Sequence, residues 1–305
     1  MVFFSVAFLI FVLLTAAVYF LVPKKVRWCV LLFSSLVFYW LNSRLLVFVL
    51  IGTALVTFLF GRWIDAVNAK GKAELAERKE LTGKEKKAFK DAVKKKTRRI
   101  LVLGIILVLG TLLFLKYFNF FGSNINSLLG IFRVGAVIPT LQLLLPLGIS
   151  FYTLQAIAYL TDIYRGKVEA DRNPCKFLLF MSFFPQIVQG PIARHKQLAA
   201  QLYEGHGFDY RRVTFGLQLI LWGFFKKLVI ADRLAAPVAE IFANYTRYHG
   251  LMVFLGAAFY GLQVYTDFSG GMDIARGVAQ IFGIGLEENF TQPYFASSIE
   301  DFWRR

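Results

Sequence analysis

The most polar part of an otherwise apolar region of this sequence lies at residues 263–277. It places Asp267, Ser269 and Asp273 directly after a long run of apolar residues. Carboxylates and hydroxyls are costly inside a membrane unless a water-filled cavity or a polar network receives them. The segment therefore predicts either a functional cavity or a purely structural network that ties two helices together. Both interpretations remain open at this point.

Three histidines are the other candidates for acid and base chemistry near neutral pH. His195 lies among charged residues, and we expect a loop or interface residue there rather than a base. His206 lies in a polar loop and His249 at the start of an apolar run, and neither has a sequence neighbour that suggests catalysis. Cys29 and Cys175 lack the spacing of a metal site, so no metal is expected.

The elements that must position these residues are predicted to be membrane helices. Hydrophobic residues form 57% of the 305 residues, and Phe alone occurs 33 times. A soluble domain of this size cannot bury so much apolar surface. We therefore predict an all-α fold, a polytopic transmembrane helical bundle with re-entrant and amphipathic helices, formed as one membrane-embedded domain over residues 1–305.

Long apolar runs, most of them uncharged, predict the individual spans. They lie at residues 2–22, 28–43, 45–61, 100–115, 146–164, 213–231 and 250–266. Lys226 and Lys227 fall within one of these runs and are expected near its end, where lysines can reach the headgroups.

Three other apolar segments do not fit a simple span. Residues 177–193 contain Pro185 and Pro191 and are predicted to be re-entrant or buried inside protein. Residues 274–284 and 295–303 are too short to cross a membrane, and we expect amphipathic or partly inserted helices there.

Residues 62–99 form a strongly basic segment that differs from the rest of the chain. They hold fourteen basic and six acidic residues, half of the net charge of +16. Basic loops favour the cytoplasmic side, so we predict a cytoplasmic loop here and an extracytoplasmic N-terminus in a plasma membrane. Thr82 and Glu85 have the spacing of a capping box, which predicts a basic helix on the inner leaflet or a solvated helical linker. Since the charge follows the loops, nucleic acid is not an expected partner.

Several longer motifs occur in a fixed order along the chain. They lie at residues 146–155, 183–192, 263–277, 288–294 and 298–305. Together they resemble the membrane-bound O-acyltransferase family, on the branch that acetylates extracellular polysaccharide such as alginate.

This resemblance implies transfer of an acyl group, usually acetyl, from a cytoplasmic thioester to a hydroxyl outside the membrane. The donor would be acetyl-CoA or another acyl thioester, with no bound cofactor. The expected partners are membrane lipid, an extracytoplasmic acetyltransferase and a polysaccharide acceptor. In the family the histidine that acts as general base follows a Phe-Trp-Arg-Arg motif, so we expect it beyond Arg305. The chain is accordingly expected to be truncated and inactive by itself.

The resemblance and the polar residues of the broken helices together give a set of candidate cavity-lining residues. These are Gln155, Gln189, Tyr265, Asp267, Ser269, Asp273, Asn289, Trp303 and Arg304. Two other functional classes remain open. Broken helices with intramembrane carboxylates also suit a transporter or channel, and a chain without the catalytic histidine also suits a noncatalytic scaffold.

Overall fold

The computed structural model describes residues 4–78, 82–132 and 138–305. Within these ranges the chain is helical and contains no strand. The α-helices are α1 (Val6–Leu21), α2 (Arg27–Ser43), α3 (Val47–Glu77), α4 (Gly83–Ile131), α5 (Ile149–Tyr164), α6 (Pro174–Ser182), α7 (Phe184–Ile187), α8 (His195–Glu204), α9 (Tyr210–Phe224), α10 (Asp232–Ala243), α11 (Leu251–Ile281) and α12 (Ile299–Arg304). A π-helix (Phe225–Ala231) joins α9 to α10, and short 3₁₀ helices lie at Lys24–Val26, Arg44–Leu46 and Pro293–Phe295.

The helices have the length and composition of membrane spans. In the described residues, four helical segments are long and apolar enough to cross a bilayer: Lys24–Glu77, Gly83–Ile131, Tyr210–Ala243 and Leu251–Ile281. Large apolar side chains are exposed along them, such as Ile106 on α4 and Leu221 on α9. Lipid is the solvent that such surfaces require. The prediction of an all-α, multi-pass membrane protein is confirmed.

The basic segment at residues 62–99 is helical over most of its length, so the prediction of a loop was wrong. Helix α3 continues to Glu77, and α4 begins at Gly83 and continues into the next span. Gly71 of α3 lies so close to Val93 that a Cβ there would be 2.9 Å from a valine methyl group. The segment is therefore the end of a helical hairpin. One of its basic residues, Lys79, lies outside the described residues.

The predicted capping box at the start of α4 is present. The Glu85 carboxylate accepts a hydrogen bond from the Thr82 backbone N–H at 2.9 Å, and the Thr82 hydroxyl accepts one from the Glu85 N–H. The helix that begins here continues without interruption to Ile131. The basic segment and the following span are thus one element, rather than a basic helix of its own on the inner leaflet.

Helix α11 is likewise longer than predicted. It continues for 31 residues from Leu251 to Ile281, so residues 274–284 are not a separate amphipathic helix. The predicted end at Thr266 was wrong because the glycines that follow it pack against another helix instead of ending this one.

Contacts divide the chain into two compact units. The first unit holds α1, α7, α9 to α12 and the π-helix, and the second holds α3 to α6. The segment at residues 177–193 forms the short helices α6 and α7, whose Phe180 and Phe184 are buried. The single domain over residues 1–305 stays a prediction.

Candidate functional site

A seam of glycines brings α9 and α11 into close contact in the first unit. Gly216 and Gly223 of α9 face Gly277 and Gly270 of α11, and the two glycines on each helix are seven positions apart. A Cβ on Gly223 would lie 2.5 Å from the Gly270 carbonyl oxygen, and one on Gly277 would lie 2.5 Å from that of Gly216. Small residues of this kind let membrane helices approach at backbone distance. The seam therefore sets the distance between the polar side chains of one helix and those of the other.

The π-helix that follows α9 carries Lys226, which forms a buried ion pair with α11. Its Nζ lies 2.6 Å from Oδ2 of Asp273, and both side chains are nearly buried, at 13% and 10% exposure. Arg276, one turn further along α11, lies 3.3 Å from the other carboxylate oxygen of Asp273. One carboxylate thus accepts hydrogen bonds from two cations. π-Helical turns often mark functional sites.

Lys227 forms a second and more open cluster beside the first. Its Nζ lies 2.6 Å from Asp267 of α11 and 3.0 Å from Asp232 at the start of α10. Both carboxylates are about half exposed, at 45% and 46%. That Lys226 and Lys227 lie near the end of a span stays a prediction. They lie inside the helical segment Tyr210–Ala243, and carboxylates of a neighbouring helix stabilise them.

A cavity of about 750 Å³ opens beside the buried ion pair. Its walls come from α9, the π-helix, α11 and the segment at residues 288–292. The polar side chains that line it are Lys226, Tyr265, Thr266, Ser269, Asp273, Arg276, Glu288, Asn289, Thr291 and Gln292. Two cations and two carboxylates are among them, so the lining carries no net charge.

The charges form a chain across the cavity wall. Arg276 links Asp273 to Glu288, whose carboxylate lies 3.2 Å from the guanidinium. Glu288 is 56% exposed whereas Asp273 is nearly buried, so the network runs from the open side of the cavity into the protein. A paired network of hydrogen-bonded charges holds its side chains in fixed positions. Such a wall can hold a polar substrate inside a membrane protein.

Aromatic rings form the rest of the wall around Lys226. Its Nζ lies 5.6 Å from the ring centroid of Trp222 and 6.0 Å from that of Tyr265. At these distances the ring faces attract the ammonium group. The Tyr265 ring also packs edge-on against Phe290 and Tyr294, with centroids 5.8 Å and 5.3 Å away.

Tyr294 connects the segment after α11 to that helix. Its hydroxyl donates a hydrogen bond to the Gly261 carbonyl oxygen at 2.8 Å. Partial burial, with a smaller contribution from Tyr265, raises the pKa of the Tyr294 phenol. The phenol therefore stays neutral and remains a donor at physiological pH.

Four of the nine predicted site residues line the cavity: Tyr265, Ser269, Asp273 and Asn289. Asp267 belongs to the neighbouring Lys227 cluster.

The other four predicted residues lie elsewhere. Gln189 is in the same unit, where its side-chain oxygen lies against Gly271. Gln155 is in the second unit and donates to the Phe180 carbonyl oxygen at 3.0 Å. Trp303 and Arg304 of α12 are largely exposed. The assignment of all nine to a reaction cavity stays a prediction.

Sequence reasoning missed Lys226, Arg276 and Glu288 as members of this network. A usable signal was present, because two adjacent lysines inside an apolar run need partners in lipid. Asp267 and Asp273 are carboxylates of another run, and pairing the two sets would have predicted that α9 and α11 are neighbours.

The histidines do not line this cavity. In the second unit, His195 Nε2 lies 2.9 Å from Asp171, and its ring packs among Tyr159, Phe177 and Phe180. It begins α8, and its side chain is 11% exposed, in line with a structural position.

His206 in the first unit has a backbone N–H that donates to the Tyr19 hydroxyl at 2.9 Å. Its ring Nε2 lies 2.8 Å from the Gln201 carbonyl oxygen. Among the residues that the structure describes, no group of three or more His, Cys, Asp or Glu side chains could hold a metal ion.

Part of the chain, including the cavity, is similar to a known protein family. Residues 169–305 match the model of the membrane-bound O-acyltransferase family. This range contains α9, α11 and every residue that lines the cavity.

Individual relatives agree with that match. The chain is 35% identical over 309 aligned positions to the probable alginate O-acetylase AlgI of Pseudomonas aeruginosa, which covers the whole chain and 54% of that protein. It is 37% identical over 231 positions to the peptidoglycan O-acetyltransferase of Helicobacter pylori, covering 67% of the chain and 43% of the relative. It is 28% identical over 161 positions to the teichoic acid D-alanyltransferase of Bacillus subtilis, covering 52% and 41%.

The chain spans about half the length of the curated relatives that it matches along its whole length. The motifs that suggested the resemblance, from residue 183 onward, lie inside the range that the family model matches. Through residues 169–305, the chain is similar to the membrane-bound O-acyltransferase family.

Proposed function

We propose that the whole protein is a membrane acyltransferase that O-acetylates an extracellular polysaccharide. The acyl group would come from a thioester donor on the cytoplasmic side, either acetyl-CoA or another acyl thioester. The names of the relatives support this proposal, since two of them are O-acetylases or O-acetyltransferases of alginate and peptidoglycan. A teichoic acid D-alanyltransferase shares the same region at lower identity.

The reaction needs a hydroxyl to attack the thioester carbonyl carbon. A C–O bond forms, the C–S bond breaks, the hydroxyl proton passes to a general base, and the thiolate leaves. A neutral histidine suits the role of base near pH 7. We place this histidine beyond Arg305, as the family resemblance implies, and assign the described chain the task of building the polar wall.

The observation that carries the proposal is the network centred on Asp273. It is nearly buried, lies on a membrane helix and borders a 750 Å³ cavity within the range matched by the family model. Charges in such a position are retained where a membrane protein needs a polar passage. Asp273 would hold Lys226 and Arg276 in place so that the cavity stays open and polar.

The proposed arrangement in the membrane follows the charge pattern of the sequence. The hairpin at residues 62–99 would face the cytoplasm and the N-terminus the opposite side. An extracytoplasmic acetyltransferase would receive the acyl group or assist its delivery to the polysaccharide.

The test uses the full-length protein in proteoliposomes with radiolabelled acetyl-CoA and an acceptor polysaccharide. Acetyl transfer should fall about tenfold or more in Asp273→Asn, which corresponds to about 1.4 kcal/mol in the barrier. Glu287→Gln is the matched control, because Glu287 is an exposed carboxylate beside the cavity segment and does not line the cavity. Equal activity of the two variants would refute the role of the network. Solute flux without labelling in the unmodified protein would favour a transporter instead.

A further inference from the structure

A second concave site lies on the hairpin of α3 and α4 in the second unit. It is a groove of about 610 Å³ between the two helices and the turn that follows α5. The proposed acyl transfer makes no use of it. Its lining contains four charged side chains, and all four are cationic: Lys72, Lys90, Lys94 and Arg165.

These four cations differ from Lys226 of the cavity, because no carboxylate of the described residues pairs with them. Within the part of the chain that the structure describes, none of them lies within 4.0 Å of an Asp or Glu oxygen. Four like charges around one groove repel one another, and an anion placed among them would relieve that repulsion. The positive charge of the groove is therefore complementary to the negative charge of a phosphate-bearing ligand.

The groove also has an apolar wall. Leu75 of α3 faces Phe89 and Val93 of α4 across it. The helices can approach here because Gly71 leaves room for the Val93 side chain. A free inorganic anion needs no such wall, whereas a headgroup with carbon atoms next to its phosphate can pack against it.

The position of the groove along α4 indicates where its ligand lies. Thr97 is the last residue of α4 in the lining, and large exposed apolar side chains begin five residues later with Val102 and continue through Ile106. Five helical residues correspond to about 7.5 Å. The groove thus adjoins the lipid-facing surface at the depth where phospholipid headgroups lie.

We infer that this groove binds the headgroup of an anionic phospholipid, with the phosphate among Lys72, Lys90, Lys94 and Arg165. The apolar wall contacts the carbon atoms of the headgroup, as in the glycerol of phosphatidylglycerol. The attraction of an anionic leaflet for basic segments supplies the general affinity. The four converging cations add selectivity for one bound molecule.

The test compares two variants of the full-length protein that remove the same number of charges. The groove variant is Lys72→Gln, Lys90→Gln, Lys94→Gln and Arg165→Gln. The control variant is Lys84→Gln, Lys87→Gln, Lys95→Gln and Arg99→Gln, exposed residues of α4 that do not line the groove. Both are purified in detergent, and binding of phosphatidylglycerol, phosphatidylcholine, inorganic phosphate and coenzyme A is measured by native mass spectrometry.

The unmodified protein should bind one phosphatidylglycerol in preference to phosphatidylcholine. The groove variant should lose affinity by about tenfold or more, and the control variant by much less. Equal losses in both variants would overturn the proposal in favour of a diffuse surface attraction. Coenzyme A or inorganic phosphate that displaces phosphatidylglycerol at equal concentration would overturn the lipid assignment. Thermal unfolding of both variants without lipid shows whether either one has lost its fold.

Discussion

Gly223→Ala should weaken the packing of α9 against α11 and displace the groups of the cavity wall. The new methyl group would lie 2.5 Å from the Gly270 carbonyl oxygen and 2.6 Å from a side-chain carbon of Ile274. An ordinary contact begins near 3.4 Å, so the helices must separate by roughly 0.9 Å. Overpacking of this kind costs about 1–3 kcal/mol.

The matched control for this substitution is Gly110→Ala on α4. A Cβ at Gly110 would meet nothing within 4 Å. Both substitutions gain about 1 kcal/mol of helix propensity, since alanine is a better helix former than glycine. The difference between the two variants therefore isolates the clash at the seam. We expect Gly223→Ala to be less stable than Gly110→Ala by about 1–3 kcal/mol.

Thermal unfolding of the purified full-length protein in detergent measures this difference, and acetyl transfer in proteoliposomes measures its consequence. A shift of roughly 0.9 Å lengthens the contact between Lys226 and Asp273, and displacements near 1 Å can reduce activity about a hundredfold. The control should keep its activity. If Gly223→Ala unfolds at the same temperature as Gly110→Ala, the seam does not set the spacing of the two helices, and the reasoning fails.

Two further substitutions separate the buried cluster from the open one. Asp273→Asn leaves the nearly buried Lys226 without its carboxylate partner and leaves Arg276 with Glu288 alone, so we expect a loss of about 3–5 kcal/mol in the free energy of unfolding. Glu287→Gln should change it by less than about 0.5 kcal/mol, and a similar loss in both would contradict the assignment. Lys227→Met removes two ion pairs whose carboxylates are about half exposed, so unfolding should change by about 0–1 kcal/mol in the same measurement. A larger loss would show that this cluster is shielded from solvent.

The sequence was sufficient to predict the fold class and several local features. Composition requires lipid as the solvent, and the capping box at Thr82 and Glu85 marks the start of α4 correctly. The capping box depends on residues that are close together in the chain, and the fold class depends on the composition of the whole chain. Such properties can be obtained without knowledge of the tertiary packing.

The ends of the helices could not be predicted in this way. The predicted span ended at Thr266, just before the charged Asp267. In the structure α11 continues through Gly270 and Gly277, although glycine has low helix propensity, because these glycines pack against the glycines of α9. Propensity is a weak indicator where tertiary packing decides, and that packing depends on residues about fifty positions away.

The basic hairpin shows a second reason for error. The charge at residues 62–77 suggested a loop, yet this segment is rich in Ala, Glu and Lys, which are good helix formers. Hydropathy indicates where a chain leaves the membrane and does not indicate where its helix ends. The site prediction had a related weakness, because it considered polar residues without their ion-pair partners, such as Lys226 of the π-helix beside Asp273.

The two concave sites follow opposite electrostatic rules for one physical reason. Lys226 is nearly buried, at 13% exposure, in a helical segment apolar enough to span a membrane, and the fold supplies Asp273 at 2.6 Å as its partner. Lys94 lies beyond the exposed apolar surface of α4, where solvent and anionic lipid are available, and the fold supplies no carboxylate among the described residues. A cation that pairs with a carboxylate of the protein indicates a site whose charges are balanced before any ligand binds. A group of unpaired cations around a groove indicates a site that an external anion completes.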